Sequence, residues 1–214
     1  MLLRHPAALE DQLAAILSEG VDCELRILLP MVDHVGQLDA VEGLLARARA
    51  RASIVEGGVL GAMIETPAAV EHAAEIAARS SFLSIGTNDL TAAVLGVDRF
   101  GGGHARTDHP RVLAAIAHTV RAGHAAGIPV EVCGEAAADP ALVPTLIGLG
   151  VDELSAGAAR VGELRAHIRT ISFDACRAGA RAALNGAADG HATARRRPAA
   201  LQALAAGDAA PGRR

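Results

Sequence analysis

Three chemically competent side chains stand where short apolar runs end. Glu65 follows VLGAMI, Asp89 lies in GTND after FLSI, and Cys133 closes PVEVC. Two carboxylates from neighbouring strand ends make a typical Mg²⁺ site, because Mg²⁺ takes few protein ligands and keeps several waters. The same two residues also suit plainer roles. Glu65 would be favoured near a helix N-terminus, and Asp89 could close an Asx-type cap. Cys133 could transfer a proton, or pack as a small hydrophobe. Arg99, on the segment after Asp89, could present its planar fork to a phosphate or carboxylate, or stand on the surface.

Other chemistries find no support. G-x-G-x-x-G and G-K-[ST] are absent, so Gly101, Gly102 and Gly103 read as a flexible loop and not a phosphate cradle. The nine His include no H-x-x-x-H or H-E-x-x-H pair. The three Cys, an odd number at wide spacing, form neither a disulfide framework nor a C-x-x-C metal pair, and a reducing cytoplasm is the expected setting. Aromatics are 1% of the 214 residues, with no Trp or Tyr, which excludes base-stacking nucleic-acid binding. A net charge of -4 gives no strong field toward nucleic acid or an anionic membrane. No apolar run approaches the roughly 18 residues of a membrane span.

These side chains need elements to hold them. Apolar runs at 25–32, 59–66, 82–87 and 129–133, with a weaker one at 151–155, read as strands. Continuous apolar runs fit strands of a parallel sheet buried on both faces. Helical patterns fall at 8–17, 35–51, 67–78, 111–126, 140–149 and 161–171. Thr66 and Pro67 suit an N-cap and first helical turn, and Gly127 suits the residue after a helix. The alternation predicts an α/β fold with a parallel sheet and covering helices. In such barrels, function sits at the C-terminal ends of strands, where Glu65, Asp89 and Cys133 stand. From Gly186 the composition becomes Ala, Gly, Arg and Pro, which predicts a disordered tail over 186–214 and a folded domain over 1–185. The 49 Ala and the absence of Lys weaken any argument from Ala-rich helices.

The motifs themselves are specific. LRILLPMV at 25–32, GAMIETPAA at 61–69 and FLSIGTNDLT at 82–91 are followed by LGVDR at 95–99, VCGE at 132–135 and LGVDELS at 149–155. In this order and spacing the sequence resembles the C-terminal phosphoenolpyruvate (PEP)-binding barrel of the PEP-utilising enzymes. The likeness is greatest to the phosphoenolpyruvate–protein phosphotransferases, enzyme I of the bacterial sugar phosphotransferase system. It covers residues 6–185. It implies a partial (β/α)8 barrel of the PEP/pyruvate-binding superfamily, holding about the last five β/α units. It implies Mg²⁺ as cofactor, with Glu65 and Asp89 as ligands. It implies that Asn88 and Arg99 bind substrate phosphate or carboxylate, and that Cys133 protonates the enolate as pyruvate forms.

The resemblance also has gaps. The family barrel has eight strands, so the first three units and their PEP-clamping arginines lack counterparts. Ala14 stands where the family usually has Arg, and Ala92 and Ala93 replace a Gln and an aromatic. The swivelling phosphohistidine domain is also without a counterpart. The expectation is that this chain alone does not phosphorylate a carrier protein. A five-stranded piece would leave two sheet edges and an inner face uncovered, so a homodimer or pairing with a full-length chain is an expected partner arrangement. The alternative reading is a non-catalytic truncated paralogue or dimerisation module. An Mg²⁺-dependent lyase or aldolase of the same superfamily is a third, whose motifs differ from C-G-E and S-I-G-T-N-D-L-T.

Overall fold

A computed structural model describes residues 2–20, 23–54, 57–98 and 106–189, with backbone alone at Leu2 and from 186 to 189. After a 3-10 turn, Leu2–Arg4, come α1 (Pro6–Glu19), β1 (Arg26–Leu29), α2 (Val35–Ala52) and β2 (Val59–Ile64). Two short helices, α3 (Pro67–Glu71) and α4 (Ala73–Ala77), lead to β3 (Phe82–Gly86) and α5 (Thr87–Leu95). Then follow α6 (Pro110–Ala125), β4 (Val130–Cys133), α7 (Val143–Leu149), β5 (Glu153–Leu154), α8 (Ala158–Ile168) and α9 (Phe173–Asp189). The strands form one parallel sheet in the order β1-β2-β3-β4-β5. This is the expected α/β fold. No helix among the described residues is long and apolar enough to cross a membrane.

The sheet is rolled. Arg26 on β1 places Nη1 3.2 Å from Glu153 on β5, joining the two edge strands. In a flat sheet those strands would lie four spacings of about 4.8 Å apart, which the two side chains could not bridge. The Arg26 guanidinium also lies 5.5 Å from the Phe82 ring centre. Phe82 in turn fills the space above Gly61, where a Cβ would come 2.4 Å from the ring. Both ends of the ion pair are partly exposed, so it contributes little energy by itself. Its value is as a ruler of curvature: five consecutive strands bend as part of a (β/α)8 barrel.

The central strand β3 is buried at every position, as expected, whereas burial alternates on β1 and β4 and corrects the expectation of two buried faces there. Ile27, Leu29, Leu60, Ala62, Ile64, Leu83, Ile85, Val130 and Val132 form the outer face and are buried under the helices. The inner face carries Arg26, Leu28, Met63, Glu131 and Cys133, all incompletely buried. The apolar runs look continuous because Leu28, Met63 and Gly61 interrupt the polar positions of that inner face.

Helix ends follow local chemistry. Thr66 Oγ1 accepts the Ala69 N–H at 3.1 Å, with Pro67 in the first turn of α3. Gly127 takes φ +74 just after α6. The stretch 67–78 divides at His72, whose backbone leaves helical geometry at φ -96 and ψ 15. Two helices go beyond the sequence pattern: α5, which starts at the end of β3, and α9. The second runs past the composition break at 186 to Asp189, and the rest of the expected tail lies outside the described residues.

α9 docks on α7 through small residues. A Cβ at Gly148 would lie 2.1 Å from the Cys176 carbonyl oxygen and 2.9 Å from the Ala180 Cβ. Ala is favoured over Gly inside a helix by about 1 kcal/mol, but overpacking costs about 1–3 kcal/mol, and here the obstacle is backbone. Gly148→Ala should therefore lower the urea midpoint and speed amide exchange across residues 173–189. A variant as stable as the parent would contradict the close packing.

Candidate active site at the strand ends

The C-terminal ends of β2, β3 and β4 form one rim. Glu65 immediately follows β2, Asn88 and Asp89 lie in the first turn of α5, and Cys133 ends β4. Parallel register sets them side by side: Ile64 pairs with Ile85, and Gly86 with Cys133. Four of the five expected site residues are thus gathered. The fifth, Arg99, lies outside the described residues.

Glu65 is only 4% exposed. A carboxylate so placed needs polar partners. The Met31 N–H donates to Glu65 Oε1 at 2.8 Å, from a loop in which Met31 takes φ +55. A left-handed, non-glycine residue is uncommon and marks a constrained loop. The other oxygen, Oε2, approaches β3: a Cβ on Gly86 would be 3.0 Å from it. A side chain at position 86 would crowd Glu65, which would have to give by a few tenths of an ångström. Thr66 Oγ1 donates to the Asp33 carboxylate, tying the loops after β1 and β2 together.

Asp89 is partly buried in the first turn of α5. The helix dipole favours a negative charge there. The turn is pinned to β4 from two directions. Thr87 Oγ1 donates to the Cys133 carbonyl at 2.6 Å, and Asn88 Oδ1 accepts the Glu135 N–H at 3.3 Å. Gly134 between them has φ +90, and a Cβ there would lie 2.6 Å from Thr87 Oγ1. The glycine of C-G-E therefore permits both the backbone turn and the close approach.

Cys133 is partly buried on the inner face, with Sγ 3.6 Å from the Ile85 carbonyl oxygen. Burial pushes its thiol pKa up from the ordinary 9.0. The nearby Ser84 hydroxyl opposes the rise, while Glu131 and Glu65 add to it. At neutral pH the group is a protonated thiol, in the state required of an acid.

Mg²⁺ fits the donor set at this rim. Two carboxylates, which are hard oxygen donors, stand just after adjacent strands, one of them oriented by the Met31 N–H. Among the described residues no group of three or more His, Cys, Asp or Glu converges on one point.

The site also uses groups that sequence reasoning missed. Met31 contributes a backbone N–H, for which no side-chain signal exists. Thr87 and Ser84 stand inside the S-I-G-T-N-D run, but as hydroxyls among apolar neighbours they carry no distinctive spacing. Gly134 is visible as part of C-G-E, and its position directly after a strand-end thiol is the usable signal.

Comparisons with known proteins identify the family. The family described as "PEP-utilising enzyme, PEP-binding domain" matches residues 1–173. A phosphoenolpyruvate-protein phosphotransferase of Chlamydia trachomatis is 37% identical over 82% of this chain and 31% of its own length. One from Streptomyces coelicolor is 37% identical over 97% of this chain and 36% of its own. A multiphosphoryl transfer protein of Rhodobacter capsulatus is 40% identical over 78% of this chain and 20% of its own. The chain therefore spans only about a third or less of these relatives. A crystal structure of a citrate lyase from Burkholderia xenovorans superposes with a TM-score of 0.61 at 20% identity, covering 91% of this chain and 72% of that one. At that identity the likeness concerns fold alone.

Proposed function

This chain belongs to the PEP-binding-domain family of PEP-utilising enzymes, and from that premise we propose that its rim binds PEP and pyruvate with Mg²⁺ and protonates the enolate. The observation that supports this most is the shared rim of Glu65, Asp89, Asn88 and Cys133, on three adjacent strand ends at the positions of the family motifs.

Glu65 and Asp89 would hold Mg²⁺, which when bound neutralises charge on the enol phosphate as the phosphoryl group leaves. The remaining roles fall to the chain's own groups. Asn88 has its carboxamide oxygen committed to the Glu135 N–H, so its NH₂ group is the part that faces a ligand oxygen. Arg99 would pair with the phosphate, as its place in L-G-V-D-R implies. Cys133 would deliver its proton to the enolate carbon, which converts the enolate to pyruvate. The phosphoryl acceptor and the carrier protein belong to the longer relatives' activity, and this chain's part is the substrate half-reaction.

Calorimetry tests the binding. PEP titrated into the chain with Mg²⁺ should give a saturable heat, and EDTA should remove it. No saturable heat in Mg²⁺ would overturn the reading.

A further inference from the structure

Ser84 is fully buried on β3, and its Oγ meets no partner at hydrogen-bond geometry. Leaving a buried hydroxyl unsatisfied is costly, and such a group calls for an explanation. An alanine would avoid the cost. The register supplies the explanation. Ser84 pairs with Glu131, and two residues on, Gly86 pairs with Cys133. Side chains two apart share a face, so the hydroxyl points into the rolled sheet just below the Cys133 thiol.

We propose that Ser84 is a positioning residue for Cys133, whose hydroxyl donates to Sγ and holds the thiolate left after the proton is delivered. The inference rests on the role proposed for Cys133 above. In the resting state the thiol hydrogen points to the Ile85 carbonyl, 3.6 Å away. When Sγ protonates the enolate carbon, a C–H bond forms, the S–H bond breaks, and the electron pair stays on sulfur. The Ser84 O–H then has an anion to bond, and it gives up no proton. A hydroxyl idle in the ground state and engaged afterwards favours the state that follows proton transfer. The same hydroxyl, lying near the thiol, favours its ionised form against burial and against the charges of Glu131 on β4 and Glu65 on the β2 side.

Alkylation of Cys133 by iodoacetamide, resolved by peptide mass spectrometry, tests this without PEP. Cys23 and Cys176 in the same chain serve as internal references. Ser84→Ala should slow alkylation of Cys133 about tenfold at pH 8, move its pH profile upward, and leave the melting temperature equal or higher. Ser84→Thr should restore the rate to within about threefold. A Ser84→Ala profile unchanged from the parent would overturn the proposal. So would a marked loss of stability in that variant, which would make the hydroxyl a structural group. A chain that bound no PEP would leave this readout intact, so the two failures are distinguishable.

Discussion

Asp89→Asn and Glu65→Gln should each weaken Mg²⁺-dependent PEP binding at least a hundredfold while leaving the fold intact. The size follows from charge. Each change removes one anionic ligand from a site with two, in a partly buried setting where the field is poorly screened. Mg²⁺ sheds water reluctantly, and a neutral amide oxygen gives it little reason to do so. Stability should change little. In Glu65→Gln the new amide oxygen can still accept the Met31 N–H that Glu65 Oε1 accepts at 2.8 Å. In Asp89→Asn the charge–dipole term in the first turn of α5 that is lost amounts to about 0.3–1 kcal/mol. Calorimetry in Mg²⁺, paired with thermal melts, separates the two quantities. Parent-like affinity in both variants would mean that the carboxylates are structural and that the metal, if any, sits elsewhere.

Cys133→Ser should leave PEP affinity within about threefold and slow the proton-transfer step by about 10²–10⁴. Ser preserves the size of the side chain on the inner face, so Thr87 can still donate to the backbone carbonyl of residue 133. What is lost is an acid of suitable strength, because an alcohol is a far weaker proton donor than a thiol. The step can be followed in reverse, as exchange of pyruvate methyl hydrogens for deuterium in D₂O with Mg²⁺, monitored by NMR. Its pH dependence has a definite sign. Removing a methyl proton requires the thiolate, and burial raises the thiol pKa above the ordinary 9.0. The exchange rate should therefore climb from pH 7 and still be rising at pH 9. Equal exchange by parent and Cys133→Ser would reassign the acid to another group.

Much of this site is legible in the sequence, for one physical reason. In a parallel α/β fold the polar residue that directly ends an apolar run stands at the functional rim, so Glu65, Asp89 and Cys133 can be located by locating strands. The N-cap at Thr66 and the glycine after α6 are legible because their chemistry is local. Long-range features are not. That Arg26 reaches Glu153 across the rolled sheet depends on curvature, which no short motif encodes. The half-open inner face of β1 and β2 is hidden by Leu28 and Met63, apolar residues on the polar side. Helix α5 escapes because Thr87, Asn88 and Asp89 are poor helix formers whose preference is for caps and turns. Here they serve as the first turn itself, and α5 begins with no linker after β3. Gly148 reads as a helix weakener until the Cys176 carbonyl beside it explains the missing side chain.

The central claim is that metal and PEP meet at the rim of Glu65 and Asp89. Mn²⁺, which takes the same hard oxygen ligands as Mg²⁺, makes that meeting visible. In the presence of the chain and Mn²⁺, the ³¹P relaxation of PEP should be enhanced well beyond that given by Mn²⁺ alone. Excess Mg²⁺ should reverse the enhancement, and Asp89→Asn should lack it. A relaxation rate no greater than that of PEP with free Mn²⁺, or one unchanged by Asp89→Asn, would contradict the account.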